Sequence, residues 1–424
     1  MKFGLQVNDT MYCIDKDAEV ENTKVLSLHD WQRRAIKYFY DCKFKVIYSV
    51  PTGCGKTFFA IQLMKKIFLE DPNIKVLIVC PKNVILERTW YKELYEAGIS
   101  LKDIGVYYGE IKEKAKITIT NIQNLENINF KEYQMQIWDE IHWSGTDRIL
   151  EFLSLPCKYK IGLSATLKRL DNKHYEIMEH FNYNIFSYEI HEALNDDIIS
   201  FFDFYSIGVI LDNKLRVEYD EITEKLNNIF RQYGGFTGAM KHASIGTKNA
   251  LLGLMNERKQ LVNNYHKKFD VVKKIISMNK ESKTLIFNQY NKTTSSLYWT
   301  LLEEGCKAEI MHSGVEKKKR EEILTNFKKD KFLVLLCSRV IDEGYNLPSI
   351  DCAIIMSNES SGKRQLIQRI GRTLRKSKGK LSSKIFLIYC KDTIEENTKN
   401  ISFLKNLCSD YKEKVFNHDE EIIL

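Results

Sequence analysis

The chain is short of proline, has no paired cysteines and lacks any long apolar run. Only 5 of its 424 residues are proline, and neither low-complexity segments nor short internal repeats occur, which excludes fibrous and largely disordered proteins. No stretch of about eighteen apolar residues is present, and residues 1–12 lack the basic start and apolar core of a secretory signal. We therefore expect no membrane partner and a cytoplasmic protein, associated with the nucleoid or, if viral, in the host cytoplasm.

The ten cysteines show no pairing pattern. No two are spaced as Cys-x-x-Cys, the usual spacing of zinc ligands, so we expect no structural zinc. Cys80 and Cys337 lie in apolar, strand-like runs, where a reduced cysteine packs as a small hydrophobic side chain.

The net charge of +8 is a mild excess, smaller than that of a dedicated DNA-binding domain. Basic residues cluster at 317–320 and 363–380. Each cluster fits a solvated surface as well as a phosphate-binding surface. Charge alone therefore does not decide whether nucleic acid is a partner.

Short apolar runs recur along the chain, each followed by a turn and a helical pattern, which predicts parallel strands buried on both faces. The expected strands form two sets: 45–49, 75–80, 117–120, 136–138 and 160–163, then 283–287, 332–337, 352–356 and 383–389. Between the sets, residues 215–279 show helical spacing, with turns expected at Gly234-Gly235 and over 238–246. The sequence predicts an α/β protein with two doubly wound parallel-sheet domains and a helical linker or insertion.

A glycine-rich turn follows the first predicted strand and precedes a helical pattern over 58–68. Its glycines allow backbone N–H groups to curl around phosphate oxygens, and the helix N-terminus adds a favourable dipole. Lys56 is suited to the β- and γ-phosphates of ATP, and the Thr57 hydroxyl to Mg²⁺. Val50 stands where this pattern usually has Gly or Ala. The residues expected to line the nucleotide are Thr52, Gly53, Cys54, Gly55, Lys56 and Thr57.

Two carboxylates end the strand-like run 136–138. Asp139 is suited to hold Mg²⁺, usually through water, and Glu140 to polarise the attacking water. An Asp-Glu pair at a strand end is common by itself, but downstream of a phosphate loop it predicts ATP hydrolysis. The expected cofactors are therefore ATP and Mg²⁺.

The phosphate loop, the tetrad Asp139-Glu140-Ile141-His142 and the triplet Ser164-Ala165-Thr166 together resemble the ordered motifs of superfamily 2 helicases. Within that superfamily the chain looks closest to the DNA-directed group that contains XPB-like helicases, the phage branch-migration helicase UvsW and type I restriction motor subunits. The resemblance covers about residues 26–395. It implies two tandem RecA-like domains that hydrolyse ATP in the cleft between them.

Further roles follow from the same resemblance. Gln32, within Leu28 to Ala35, matches the family's adenine motif, and its amide can both donate and accept. Ser164 and Thr166, with His142, match the residues that couple the ATP site to the nucleic-acid path. The continuation 168–171 resembles an Arg-Glu-Asp element of XPB-like proteins, but Leu170 replaces the glutamate, so that role is not transferred.

Residues 368–375 match the family's QRxGRxxR motif in full. Arg372 and Arg375 are expected to act as arginine fingers on the γ-phosphate, since arginine supplies a planar, permanently charged fork. Gln368 and Arg369 are expected to contact phosphate or the attacking water.

Residues 338–348 resemble the family pattern T-x-x-x-x-E-G-x-D-x-P. Glu343 and Gly344 are expected near the nucleotide, and Ser338 takes the place of the threonine that binds nucleic-acid phosphate. Asn346 replaces the aspartate that accepts from ribose, which weakens that contact.

The resemblance also assigns a nucleic-acid track to strand ends in both halves, where hydroxyls, amides and backbone N–H groups contact phosphate without reading sequence. Each of these residues, taken singly, also fits a plain loop. The expected residues are Pro81, Lys82, Thr120, Gln123, Asn288, Gln289, His312, Ser313, Ser338 and Arg339.

The expected organisation is an N-terminal extension 1–27, an ATP-binding domain 28–205, a helical linker or insertion 206–280, a second helicase domain 281–395 and a C-terminal tail 396–424. The short ends leave substrate choice to the domains, the insertion or a partner. The insertion residues Arg231, Tyr233, Phe236 and Lys241 are candidates for duplex contact, and a packed helical linker is the alternative.

The predicted function is an ATP-dependent DNA helicase or translocase, a monomeric ATPase stimulated by nucleic acid that remodels forks, junctions or R-loops. Three alternatives stay open: a double-strand DNA translocase that works with a nuclease or recombination partner, an RNA helicase, and a scaffold with vestigial ATPase motifs. The resemblance favours DNA over RNA.

Overall fold

A computed structural model describes residues 4–7, 10–13, 28–81, 89–169, 171–338, 347–356, 366, 370–371, 373–374, 376, 380, 382–396 and 398–423. These residues form two compact units. The first ends at Ile199, and the second begins at Ser200.

The first unit is built on one large sheet. Its strands are β1 Gly4–Val7, β2 Thr10–Cys13, β3 Lys45–Ser49, β4 Val76–Cys80, β5 Ile104–Tyr108, β6 Ile111–Lys112, β7 Ile117–Asn121, β8 Met135–Trp138, β9 Tyr159–Ser164 and β10 Ile185–Ser187. Its helices are α1 Asp30–Asp41, α2 Lys56–Glu70, α3 Tyr91–Glu96, α4 Asp147–Ser154, α5 His174–Glu179 and α6 Ile190–Asn195.

The described strands β3 to β10 form this sheet in the order β10-β3-β9-β8-β4-β7-β5-β6, and only the β5–β6 pair is antiparallel. Strands β1 and β2 pair as a separate hairpin. Every residue of β4, β8 and β9 is buried, as expected of central parallel strands covered on both faces. The carboxyl ends of β3, β9, β8 and β4 are therefore neighbours at one edge.

The second unit has an all-parallel sheet. Its strands are β11 Phe201–Val209, β12 Thr284–Phe287, β13 Ala308–Met311, β14 Val334–Cys337, β15 Cys352–Ile355, β16 Ser382–Cys390 and β17 Asp410–Phe416. Its helices are α7 Asn213–Tyr233, α8 Phe236–His242, α9 Ile245–Asn263, α10 Lys267–Met278, α11 Asn291–Glu303, α12 Lys317–Lys328 and α13 Thr398–Lys405. Within the described residues the strand order is β13-β14-β12-β15-β16-β11-β17.

The predicted fold class is confirmed, and each of the nine predicted strands lies within two residues of its expected bounds. The boundaries between parts differ from the expected ones. The second unit begins at 200 rather than after 205, because β11 pairs with β16 over its whole length and with β17 from Asp203 to Val209. Residues expected to form a tail supply the edge strand β17.

The helical region between the strand sets has two parts. Helices α7, α8 and α9 pack around a small core of Ile222, Leu226, Ala239 and Leu251, whereas α10 packs into the core of the second sheet. Gly234 ends α7 in the left-handed region (φ 69°), as expected of a turn.

The turn expected over 238–246 is shorter than predicted. Gly238 lies inside α8 and Gly246 inside α9. The chain breaks only at Ala243 and Ser244, where the Ser244 hydroxyl caps α9 by accepting from the Thr247 N–H (3.1 Å).

Candidate active site

Four predicted segments meet where the central strands of the first sheet end. The Val50 N–H donates to the Ser164 carbonyl (2.9 Å), and the Asp139 N–H donates to the Val79 carbonyl (2.9 Å). The first bond joins the phosphate loop after β3 to the Ser164 triplet at the end of β9, and the second joins the acidic pair after β8 to the end of β4.

The phosphate loop has the backbone that its glycines predict. Gly53 and Gly55 have φ of 95° and 83°, values that side chains disfavour. The Lys56 Nζ donates to the carbonyls of Val50 (2.8 Å) and Pro51 (3.3 Å), so the ammonium lies across the loop. Burial raises the pKa of the Cys54 thiol to about 12, so Cys54 packs as a neutral side chain.

Gln32 lies on α1, fully buried beside this loop. Its Oε1 accepts from the His29 N–H (2.9 Å), which closes the first turn of α1. Its Nε2 has no hydrogen-bond partner among the described residues and would lie 3.4 Å from a Cβ built on Gly55. A buried amide donor without a partner is costly unless a ligand completes it.

Both carboxylate oxygens of Asp139 accept from neutral donors. The Trp90 indole Nε1 donates to Oδ2 (2.8 Å), and the Glu140 N–H donates to Oδ1 (2.9 Å). Burial, and then the charge of Glu140, raises the pKa of Asp139 to about 6. A cation at this carboxylate would reverse that shift.

Glu140 adopts a left-handed backbone conformation with φ of 45°. That conformation costs on the order of 1 kcal/mol in a residue other than glycine and persists only where the surroundings hold it. The Glu140 Oε2 lies 3.3 Å from the His142 Nδ1. The carboxylate therefore faces the histidine of its own turn.

His142 links the acidic pair to the Ser164 triplet. Its Nδ1 lies 3.0 Å from the Ser164 Oγ. Because Ser164 donates its only hydroxyl proton to the Thr166 carbonyl (2.9 Å), the consistent assignment has His142 Nδ1–H as the donor. The Thr166 hydroxyl is buried and has no partner among the described residues. The three predicted coupling residues thus lie together.

The expected nucleic-acid residues of the first unit differ in their exposure to solvent. Gln123 is exposed after β7. Thr120 is fully buried inside β7, and its hydroxyl donates to the Tyr107 carbonyl (2.8 Å), so it presents no group to a phosphate in this structure. Pro81 is also buried, directly after β4. Strand β7 also runs one residue further than predicted, to Asn121.

The expected nucleic-acid residues of the second unit gather at the ends of β12, β13 and β14, which are neighbours. Asn291, at the start of α11, donates to the Ser313 hydroxyl (3.1 Å) and accepts from the Ser338 hydroxyl (2.7 Å). Asn288 is buried, with its Nδ2 lacking a partner among the described residues. Gln289 follows it, half-buried.

His312 has a structural role at the end of β13. Its Nδ1 accepts from the Gly314 N–H (3.0 Å). Burial, and then the charge of Arg320, lowers the pKa of His312. The ring is therefore neutral near pH 7 and offers hydrogen bonds rather than charge to a ligand.

Several predicted residues lie outside the described part of the chain, and their roles stay predictions. They are Lys82, Arg339, Glu343, Gly344, Gln368, Arg369, Arg372 and Arg375.

Two residues that contact the site escaped the sequence reasoning. Trp90 resembles an ordinary core tryptophan in the sequence, and only the fold brings its indole to Asp139. Asn291 had no distinguishing pattern, although an asparagine just past a strand end is a usual partner for loop hydroxyls.

The described residues show neither a metal-ligand cluster nor a membrane-spanning helix. They contain no cluster of three or more His, Cys, Asp or Glu that could hold a metal ion by itself. None of the helices described is both long and apolar enough to span a bilayer.

Comparison with known proteins is consistent with this geometry. Residues 25–169 match the family "Type III restriction enzyme, res subunit", and residues 267–377 match the "Helicase conserved C-terminal domain". The chain is 26% identical over 395 residues to the "DNA 3'-5' translocase XPB2" of Sulfurisphaera tokodaii, covering 86% of this chain and 85% of that protein.

The "DNA 3'-5' helicase XPB" of Mycobacterium tuberculosis is 23% identical over 394 residues, covering 88% of this chain but only 63% of that longer protein. Among solved structures, the Pyrococcus furiosus Hef helicase domain superposes with a TM-score of 0.58 at 16% identity, covering 88% of this chain and 98% of that chain. This last likeness concerns the fold.

The two sheets are thus RecA-like domains, and the two family matches together with the XPB relatives support an ATP-dependent helicase of superfamily 2. Within that superfamily it is similar to the XPB-like proteins. The predicted family and enzyme class are confirmed.

Proposed function

We propose that the protein is a DNA helicase or translocase that hydrolyses Mg-ATP in the first unit and uses the energy to remodel branched DNA. One observation carries the ATP part of the proposal: the unpartnered Gln32 amide, the phosphate loop and the Asp139-Glu140 pair converge on one sheet edge. The bond between His142 and Ser164 links that site directly to the triplet expected to sense nucleic acid.

The residues present fit ATP. The Gln32 amide offers the adenine edge a donor that is otherwise buried without a partner. Lys56, which now bonds the loop carbonyls, would exchange them for phosphate oxygens, a stronger charge-assisted contact. Thr52, Gly53, Cys54 and Gly55 would supply backbone N–H groups around the phosphates.

The donor set also fits Mg²⁺, which prefers oxygen ligands and keeps several waters. Thr57 and Asp139 would hold it together with phosphate oxygens. When bound, Mg²⁺ would neutralise charge that develops on the phosphates. Glu140 would orient and deprotonate the attacking water. By the resemblance, Arg372 and Arg375 stay assigned to the γ-phosphate, and Gln368 and Arg369 to phosphate or the attacking water.

DNA is the proposed track because the two relatives described above are named as acting on DNA. The grouped polar ends of β12, β13 and β14 support phosphate contact without base reading. The helices α7–α9 also support DNA as the track. Residues 225–256 contain no Asp or Glu, and Arg231, Lys241 and Phe236 are exposed there; we call this segment the helical tip. Such a basic, aromatic tip suits a DNA backbone.

We propose branched DNA as the specific substrate, and the cytoplasm or nucleoid as the location of the protein. A translocase that leaves strands paired and works with a nuclease or recombination partner is the second candidate, supported by the restriction-subunit family match. An RNA helicase is the third.

Strand-separation assays distinguish these candidates. A labelled four-way DNA junction, a forked duplex, a triplex-forming duplex and an RNA duplex would each be incubated with protein, ATP and Mg²⁺. Junction or fork resolution supports the proposal. Triplex displacement without strand separation would favour the translocase, and activity on RNA alone would overturn the DNA assignment.

The helical tip has its own test. Replacing Arg231 and Lys241 by Ala should lower the salt dependence of DNA affinity by about two phosphate contacts. Replacing the exposed first-unit lysines Lys37 and Lys102 serves as the matched control. An unchanged salt dependence would mean that the tip is only a packed helical element.

A further inference from the structure

A second set of contacts joins the segment after Thr166 to the turn that follows Glu140. The Arg169 Nη1 donates to the His142 carbonyl. The same guanidinium lies against Gly145: a Cβ built on that glycine would be 2.7 Å from both Cζ and Nε of Arg169. Any side chain at 145 would therefore push the guanidinium out of place.

Asp171 fixes the orientation of this guanidinium. The Arg169 Nε donates to Oδ1 (2.9 Å) and Nη2 donates to Oδ2 (2.6 Å). This two-bond pairing leaves Nη1 directed at His142. Lys173 pairs with Asp147, the first residue of α4, so the segment is also fastened to the helix that follows the turn.

The turn that Arg169 holds contains the strained residue of the site. Glu140 has its left-handed φ of 45°, and the Trp143 N–H donates to the Glu140 carbonyl (2.9 Å). His142 faces Ser164 on one side and gives its carbonyl to Arg169 on the other. A strained backbone persists where neighbouring contacts over-determine it, and Arg169 adds a second contact from outside the turn to that of Ser164.

We propose that Arg169, oriented by Asp171 and given room by Gly145, is a positioning residue for the catalytic turn. It holds residues 140–144 so that the Glu140 carboxylate stays where attack on ATP requires it. This inference rests on the proposed ATPase function. It assigns Arg169 no contact with nucleotide or DNA, and it explains why position 145 has no side chain.

Turnover of purified full-length variants tests the inference. We expect Arg169→Ala and Gly145→Ala each to lower kcat for ATP at least tenfold, with KM within about threefold, because the phosphate loop and Gln32 keep their contacts. Arg169→Lys, which keeps charge but loses the fork, should fall between wild type and Arg169→Ala. The double variant Arg169→Ala/Gly145→Ala should be no slower than Arg169→Ala alone, since both changes remove one contact.

Two matched controls isolate the contact. Gly253→Ala adds a Cβ that meets nothing within 4 Å, and Lys168→Ala removes the exposed basic neighbour. Both should keep wild-type kcat. Normal turnover in Gly145→Ala, a multiplied loss in the double variant, or a raised KM with intact kcat would overturn the inference.

Hydrogen exchange of the nucleotide-free protein gives a readout independent of activity. Amides in 140–147 should exchange at least tenfold faster in both variants, while those in 52–57 stay unchanged; unchanged exchange in 140–147 would overturn the inference. If circular dichroism shows that Arg169→Ala does not fold, the Gly145→Ala variant alone tests the inference. Wild-type protein without ATP hydrolysis would contradict the proposed function, whereas active wild type with equally active variants would contradict only the role of Arg169.

Discussion

Replacing Gln32 by Glu separates the two roles of this side chain, which are to close the first turn of α1 and to donate a hydrogen bond to the nucleotide. Its Oε1 accepts from the His29 N–H and closes α1, while its Nε2 is a buried donor without a partner among the described residues. Glutamate keeps the first oxygen and turns the second group into a charged acceptor. The fold should therefore survive, whereas Gln32→Ala also loses the cap and about 1 kcal/mol of stability.

The effect on nucleotide affinity follows from the lost donor. One missing hydrogen bond together with an opposed buried acceptor costs about 1.5–3 kcal/mol, which corresponds to a roughly 10- to 150-fold rise in Kd for ATP. The Kd for GTP should change less than about twofold, because phosphate contacts supply its affinity.

Competition against a fluorescent nucleotide measures both constants, with the exposed Gln232→Glu as the matched control. Equal losses for ATP and GTP would mean that Gln32 acts only through the fold. No loss for ATP would mean that adenine is recognised elsewhere, and either result refutes the reasoning.

Three further predictions concern groups around the two sheets. Trp90→Phe removes a donor that favours ionised Asp139, so the Mg²⁺ concentration for half-maximal ATP hydrolysis should rise about threefold at pH 7 and less at pH 9; an equal rise at both would contradict this. Because the folded-state pKa of Asp139 is raised to about 6, its stabilising contribution is full below about pH 4 and lost as pH rises through 6. Asp139→Asn, which cannot ionise, should therefore remove this pH dependence from the urea unfolding of the metal-free protein, although its Nδ2 donor replaces one of the two acceptor oxygens; an unchanged pH dependence would refute it. Lys268 and Glu395 form a fully buried ion pair, so Lys268→Met should cost about 3–5 kcal/mol in denaturant unfolding, and Lys268→Met/Glu395→Leu should recover most of it; additive losses would contradict the pairing.

The central strands were predictable because a strand that is buried on both faces has apolar side chains at nearly every position, which gives a continuous apolar run in the sequence. This signal placed β3 and β9 closely and, with them, the phosphate loop and the Ser164 triplet. β11 and β17 escaped it for a physical reason. β17 is an edge strand with an exposed, charged sequence, Asp410–Phe416, and β11 joins its sheet only through partners far along the chain.

The site residues divide in the same way. The roles of Lys56 and Asp139 could be predicted because each residue lies in a short motif of consecutive residues. Trp90 and Arg169 act through contacts across 49 and 27 positions, which only the packed fold reveals. Thr120 shows a contact that the pattern did not predict: its position near a strand end suggested a phosphate contact, whereas in the fold its hydroxyl donates to the Tyr107 carbonyl of the neighbouring strand.

The most direct test of the account is the steady-state rate of ATP hydrolysis by wild type and Glu140→Gln, each without nucleic acid and with a four-way DNA junction. We expect the junction to raise wild-type turnover at least tenfold. Glu140→Gln should lose at least 100-fold of that turnover while its Kd for ATP stays within about threefold. An unstimulated wild type, or a Glu140→Gln variant that hydrolyses ATP normally, would contradict it.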